Sequence, residues 1–175
     1  MTFQPQKIRL IRWIVVHHAG AHDWKTGKPI YQTMEQVRTF HMLPITRGGK
    51  GFTDIGYHRF IEQTGRIRFG RPEWKMGAHV HEFNPYTLGV CCSGDADLEP
   101  FNDKQLGSLV QQCAAWCLQY QLRFDNVIGH RETQDHGGPQ VFKSCPGRLT
   151  DMNKIRELVR SVLQSTTPPP PPVVV

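Results

Sequence analysis

The stretch GHRETQDHGGPQVFKSCPG, from Gly129 to Gly147, places His130 at the end of an apolar run and sets Lys143 and Cys145 two residues apart just before a proline. Far upstream, WIVVHH at residues 13–18 is a second apolar, strand-like run that ends in histidine. Zinc takes imidazole nitrogen and thiolate sulfur. Its catalytic sites commonly use three protein ligands and keep a fourth position for water, whereas a fourth protein ligand marks a structural site. Two strand ends and one loop can supply a His/His/Cys set, and three ligands point to hydrolysis. Successive strand side chains face opposite sides, so one of His17 and His18 faces a given metal; His17 is the expected ligand and His18 the alternative. Strand ends are where α/β sheets present ligands, and the Gly/Pro-bounded loop carrying Cys145 can fold back over them. One thiolate and two neutral imidazoles leave zinc a net positive charge, enough to acidify water and polarise a carbonyl. In an extended segment Lys143 points to the same side as Cys145, where an ammonium would stabilise a developing oxyanion. The plain alternative is an exposed loop lysine.

These residues need a scaffold, and the chain supplies alternating strands and helices. Residues 8–17 read as a core strand. TMEQVRTFHML follows as a helix capped by Thr33 with Gln36 three residues on, its apolar side formed by Met34, Val37 and Phe40, closed by Leu43 before Pro44. The next loop, PITRGGKGFTD, is glycine-rich and basic and reads as a mobile, solvated turn or a contact for an acidic substrate. DIGYHRFIEQTGRIRFGRPEW reads as a hairpin turning at Gln63-Thr64-Gly65. Alternation would send Tyr57, Arg59 and Ile61 to one face and His58, Phe60 and Glu62 to the other, so Tyr57 and His58 compete for any site-facing role. Asp54 is expected in a turn rather than as an acid. TLGVCCSGD makes a buried strand. Residues 102–122 form the clearest helix, with Asn102 and Gln105 as a capping box and Leu106, Leu109, Val110, Cys113, Trp116, Cys117 and Tyr120 at helical spacing. DNVIGH is a short strand ending in His130. A last helix over about 151–164, capped by Thr150 or Asp151, turns Ile155, Leu158, Val159 and Val162 to one face. The tail TTPPPPPVVV cannot build a core and reads as an extended spacer or disordered end.

With 175 residues, the chain has the length for one domain, here 1–165, followed by a proline-rich tail at 166–175. Lys7, Arg9 and Arg12 interrupt the N-terminal apolar residues, so neither a signal peptide nor a membrane-spanning segment is expected. The net charge of +6 suits an anionic partner such as a wall polymer. Nucleic acid is not expected, because the basic residues are scattered and no nucleic-acid motif is present. The five cysteines are an odd number without the spacing of a disulfide framework, which fits a reducing compartment. Cys113 and Cys117 read as small hydrophobes on a helix face.

IVVHHAG, DIGYHRFI, GAHV followed by NPYTLGVCCSGD, IGHRE and KSCPG stand in the order found in the zinc-dependent N-acetylmuramoyl-L-alanine amidases, which include phage lysozyme-amidases and peptidoglycan recognition proteins. The sequence resembles this family over nearly all of residues 8–163. The resemblance implies a single α/β domain, a central mixed β-sheet flanked by α-helices, with zinc in a surface groove. The implied reaction is cleavage of the amide between N-acetylmuramic acid and L-alanine in peptidoglycan. Carried over by motif, His17, His130 and Cys145 are the zinc ligands, Tyr57 and Lys143 the catalytic residues, and His79 a substrate-binding residue lining the groove. Some members carry a glutamate base on the strand matched by LGVCCSG; the cysteines here favour the Tyr/Lys branch. The segment between His130 and Cys145 is longer than in the shortest phage members. A phage or prophage endolysin is the expected role, monomeric, made in the cytoplasm and reaching bacterial peptidoglycan after membrane permeabilisation. The alternative is a non-catalytic peptidoglycan-binding module of the same fold.

Overall fold

A computed structural model of the chain describes residues 9–166; the expected proline-rich tail, from residue 167 on, lies outside the described residues. The strands are β1 (Trp13–His18), β2 (Arg59–Ile61), β3 (Ile67–Phe69), β4 (Thr87–Cys92) and β5 (Val127–Gly129), and the α-helices are α1 (Met34–Met42), α2 (Asp103–Tyr120) and α3 (Met152–Thr166). They form one mixed sheet in the order β3-β2-β4-β1-β5. β1 pairs in parallel with β4 and β5, β2 in parallel with β4, and β2 with β3 as the antiparallel hairpin. This is the expected α/β architecture. Among the described residues, no helix is long and apolar enough to cross a membrane.

The central strands are buried on both faces, so they read as nearly continuous apolar runs. On one face Ile14, Val16, Ile61, Leu88, Val90, Cys92 and Val127 pack against Leu109, Cys113, Trp116 and Cys117 of α2 and Ile155 and Val159 of α3. On the other, Phe60 and Cys91 meet Met34 and Val37 of α1, while Val15 and Ile128 meet Val80 and Phe83. Both expected capping boxes form, at Thr33 with Gln36 and at Asn102 with Gln105. The Asp151 carboxylate accepts from the N–H groups of Asn153 and Lys154 at the start of α3.

Four details differ from the sequence expectation. Residues 9–12 lie outside β1: the Arg9 guanidinium is drawn off to the carbonyls of Lys75 (2.7 Å), Asn84 (2.6 Å) and Thr87 (2.9 Å). On α1, Phe40 is 42% exposed and His41 is buried in its place, because His41 Nδ1 accepts the Gly56 N–H at 2.9 Å. β2 begins only at Arg59, so strict alternation does not reach Tyr57, which packs on the cluster containing Phe60 rather than with Ile61. On α3, Leu158 is 37% exposed, while Met152 joins Ile155 and Val159 in the core. Asp54 acts as a turn residue, bonded to the Ile55 N–H and paired with Arg38.

Candidate metal centre and groove

β1 and β4 run in register with His17 opposite Cys91, and β1 and β5 with Val16 opposite Gly129. One step beyond, His130 comes beside His17 on the same face, and the two rings lie 4.6 Å apart. Cys145 arrives from the loop, with its Sγ 3.5 Å from His17 Nδ1. The donor atoms of His17, His130 and Cys145 all lie within 4.8 Å of one another, a set that could hold a metal ion. Two ligands at the usual zinc–nitrogen and zinc–sulfur bond lengths and a tetrahedral angle stand roughly 3.6 Å apart, so the His17–Cys145 pair already has zinc-like spacing. His17 is buried, and its pKa lies well below the ordinary imidazole value, first through burial and then through His130, His79 and His18. Burial, then Lys143 and His18, lower His130 to about 4. Both rings are therefore neutral and keep a lone pair for a cation. Burial pushes the Cys145 thiol up to about 12; a thiolate here needs a cation against it.

The loop carrying Cys145 is braced from two sides. The Arg131 N–H donates to the Cys145 carbonyl at 2.8 Å, and the Arg131 guanidinium donates to the carbonyls of Ser144 (2.9 Å), Gly147 (2.7 Å) and Thr150 (2.7 Å). Opposite it, the Asp97 carboxylate accepts from the Ser144 hydroxyl and the Arg148 N–H, both at 2.6 Å. Gly147 permits this approach: at φ 106° a Cβ would come within 2.4 Å of the Ala96 backbone. His18, Asp95 and Asp97 also bring donor atoms together, yet protein donors already engage them. His18 Nδ1 accepts the Ala96 N–H at 3.0 Å, and the Asp95 carboxylate accepts from the Asp97 N–H and faces His22 Nδ1 at 2.8 Å. This second group is a brace for the loop, and it takes His18 away from the His17 centre. Glu132, next to Arg131, accepts the Gly129 N–H and pairs with Arg156, fixing the turn after β5.

A groove of about 670 Å³ opens over the centre, lined by Tyr57, His79 and Lys143 among others, with Lys50, Phe40 and Phe142 at its rim. Tyr57 stands 5.2 Å, ring to ring, from His17. Burial first, then the thiols of Cys91 and Cys145, raise its phenol well above the ordinary value, so it stays protonated. Cys91, on the strand where some amidases carry a glutamate, is likewise held protonated by burial and offers no base. Lys143 is exposed and near enough to His130 to depress its pKa. His79 reaches His17, with His17 Nε2 3.1 Å from His79 Nδ1. The structure thus brings all six expected site residues to one groove. The braces Asp97 and Arg131 and the buried His41 are further site residues that composition and spacing do not single out; the SGDAD turn and the GHRE run are the local signals of the first two.

The sequence profile of the N-acetylmuramoyl-L-alanine amidases matches residues 6–148. Among solved structures, the N-acetylmuramoyl-L-alanine amidase LysC from Clostridium intestinale superposes with a TM-score of 0.68 at 22% identity, over 84% of this chain and 83% of that one. The endolysin of the Thermus scotoductus bacteriophage Ph2119 superposes with a TM-score of 0.66 at 25% identity, over 87% of each chain. The peptidoglycan-recognition protein SC1a of Drosophila melanogaster is 25% identical over 138 residues, 78% of this chain and 68% of its own. With most of its length matched by that profile, the chain belongs to the N-acetylmuramoyl-L-alanine amidase family.

Proposed function

We propose that the chain is a zinc-dependent hydrolase of the amide joining the lactyl group of N-acetylmuramic acid to the L-alanine of peptidoglycan, working as a phage or prophage endolysin. The observation that carries this reading is the convergence of His17, His130 and Cys145 in the lining of an open groove, their donor atoms within 4.8 Å of one another and the His17–Cys145 pair at a zinc-like 3.5 Å. The match to an amidase profile and the likeness to a phage endolysin support it.

Neutral His17 and His130 and the Cys145 thiolate would hold the ion, and the loop braces at Asp97 and Arg131 keep the sulfur in place. The chemistry supplied by bound zinc is that of a Lewis acid, acidifying water and polarising the scissile carbonyl. Tyr57, protonated at the groove wall, donates a hydrogen bond to the oxygen that gains charge as the carbonyl becomes tetrahedral, a role for which a neutral phenol is suited. Lys143 adds a mobile positive charge on the open side and so favours the same developing anion. The rim aromatics Phe40 and Phe142 present apolar surface to the glycan or peptide flanks.

Digestion of purified peptidoglycan, scored for new L-alanine amino termini and for new reducing ends, tests the reading. Chelator-sensitive release of amino termini without reducing ends is expected. Sedimentation with the wall without release of either end would replace the hydrolase by a binding module of the same fold. Lys143→Ala should lower kcat about a hundredfold at unchanged zinc content; near wild-type turnover would remove Lys143 from the mechanism.

A further inference from the structure

His79 does more than line the groove. It stands between a metal-centre histidine and a hydrogen-bond acceptor of fixed polarity, and the order of donors can be followed atom by atom. Thr87 Oγ1 lies 3.2 Å from the Phe83 carbonyl oxygen. Two oxygens at that separation need a proton between them, and the carbonyl has none, so the Thr87 hydroxyl donates to Phe83. The Thr87 oxygen then faces His79 Nε2, 3.4 Å away, as an acceptor, and Nε2 carries the His79 proton. A neutral imidazole carries one ring proton, and with that proton on Nε2, His79 Nδ1 is bare and accepts. Its partner at 3.1 Å is His17 Nε2, which must be the donor. Neutral His17 has one ring proton; with that proton on Nε2, Nδ1 keeps its lone pair, and Nδ1 is the atom 3.5 Å from Cys145 Sγ.

The backbone is shaped around the same ring. The Asn84 side-chain oxygen accepts the N–H groups of His79 (2.9 Å) and Val80 (3.0 Å), which fixes where the imidazole starts. Gly89, in the middle of β4, leaves the space in which it lies: a Cβ there would meet His79 Cγ and Cδ2 at 2.7 Å. A glycine inside a buried strand weakens it and marks a close approach; here the approaching group is His79.

We propose that His79 is a positioning residue for His17: relayed from the Phe83 carbonyl through Thr87, its hydrogen bond sets the His17 tautomer and ring plane so that Nδ1 faces Cys145. Metal-ligating histidines commonly donate their other N–H to a partner that fixes them in this way. The functional consequence rests on His17 being a zinc ligand, as proposed above; the tautomer does not.

The test is a long-range 1H–15N imidazole correlation on the full chain, without zinc and with one equivalent, alongside zinc affinity from chelator competition. In the metal-free wild type, His17 is expected protonated at Nε2 and bare at Nδ1. Thr87→Val, nearly isosteric, removes the acceptor and should leave His17 in a mixture of tautomers. His79→Leu should weaken zinc binding about 10- to 100-fold, and His79→Gln, which offers an oxygen to His17 and an N–H to Thr87, should restore most of it. A His17 protonated at Nδ1 in the wild type, or a tautomer unmoved by both Thr87→Val and His79→Leu, overturns the proposal. A wild type that shows the expected tautomer and its shift in Thr87→Val yet binds no zinc would sink the zinc reading and leave the positioning role standing.

Discussion

On the side of the sheet covered by α2 and α3, β1 and β4 present Ile14, Val16, Leu88, Val90 and Cys92; on the other side the same strands present Val15, His17, Gly89 and Cys91. The backbone is shared and the side-chain period of two does the sorting. The face under α2 and α3 closes with apolar side chains around Trp116 and Leu109. The groove face interrupts its apolar residues with an imidazole, then a glycine that admits a second imidazole. Cysteine makes the contrast sharp. Cys92 and Cys113 are buried in the apolar cluster under α2 and α3 and their thiols are pushed up by burial, so they stay protonated as small apolar fillers. Cys145 is also buried, but beside two neutral histidines, where a metal ion can stabilise its thiolate. Burial alone does not decide whether a thiol is structural; the neighbouring lone pairs do.

If the two faces divide the work in this way, substitutions on them should separate. His130→Ala should cut peptidoglycan hydrolysis by at least about a hundredfold, since several kcal/mol of charge stabilisation go with the ion, while the thermal transition stays near that of the wild type. Trp116→Ala, on the opposite face, should cost about 3–5 kcal/mol in denaturant unfolding through the cavity it leaves, with the zinc affinity of the folded fraction unchanged. A Trp116→Ala protein that folds normally but loses zinc would break the comparison.

Acid should probe the buried histidines. The His58 ring is fully buried, accepts the Gly89 N–H at its Nδ1 (3.0 Å) and has its pKa lowered to about 4 from 6.5. Burial is the main cause, followed by the opposing influence of the Lys75 carbonyl. Its folded-state pKa lies below the unfolded one, so the unfolded chain binds protons first. The stability this group contributes is present above about pH 6.5 and is lost as the pH falls towards 4, by roughly 2 to 3 kcal/mol. Urea unfolding of the metal-free protein between pH 7 and pH 4 should show this loss together with those of His41 and His130, and His58→Gln should make the slope shallower. Equal slopes in the two proteins would place the acid sensitivity elsewhere.

What the sequence disclosed follows from distance along the chain. The capping boxes at Thr33/Gln36 and Asn102/Gln105 are complete within four residues and formed as expected. His17, His130 and Cys145 were legible because each ends an apolar run or sits in a Gly/Pro-bounded loop, and because ordered motifs join them. His41 replaced Phe40 on the buried side of α1 since its partner, the Gly56 N–H, lies 15 residues away and no helical pattern encodes it. Tyr57 escaped alternation because it precedes β2 on a loop path. The Asp97–Ser144 brace spans 47 residues and the His17–His79 bond 62. For the latter the sequence did hold a trace: Gly89 stands alone in an otherwise side-chain-filled strand, the mark of another group pressing close.

Zinc content per folded chain, measured after exhaustive dialysis against a weak chelator, tests the division between the faces most directly. One equivalent is expected in the wild type and in Cys92→Ala and Cys113→Ala, and none in Cys145→Ser. A full equivalent retained by Cys145→Ser, or zinc lost from Cys92→Ala or Cys113→Ala while the fold persists, would contradict the account.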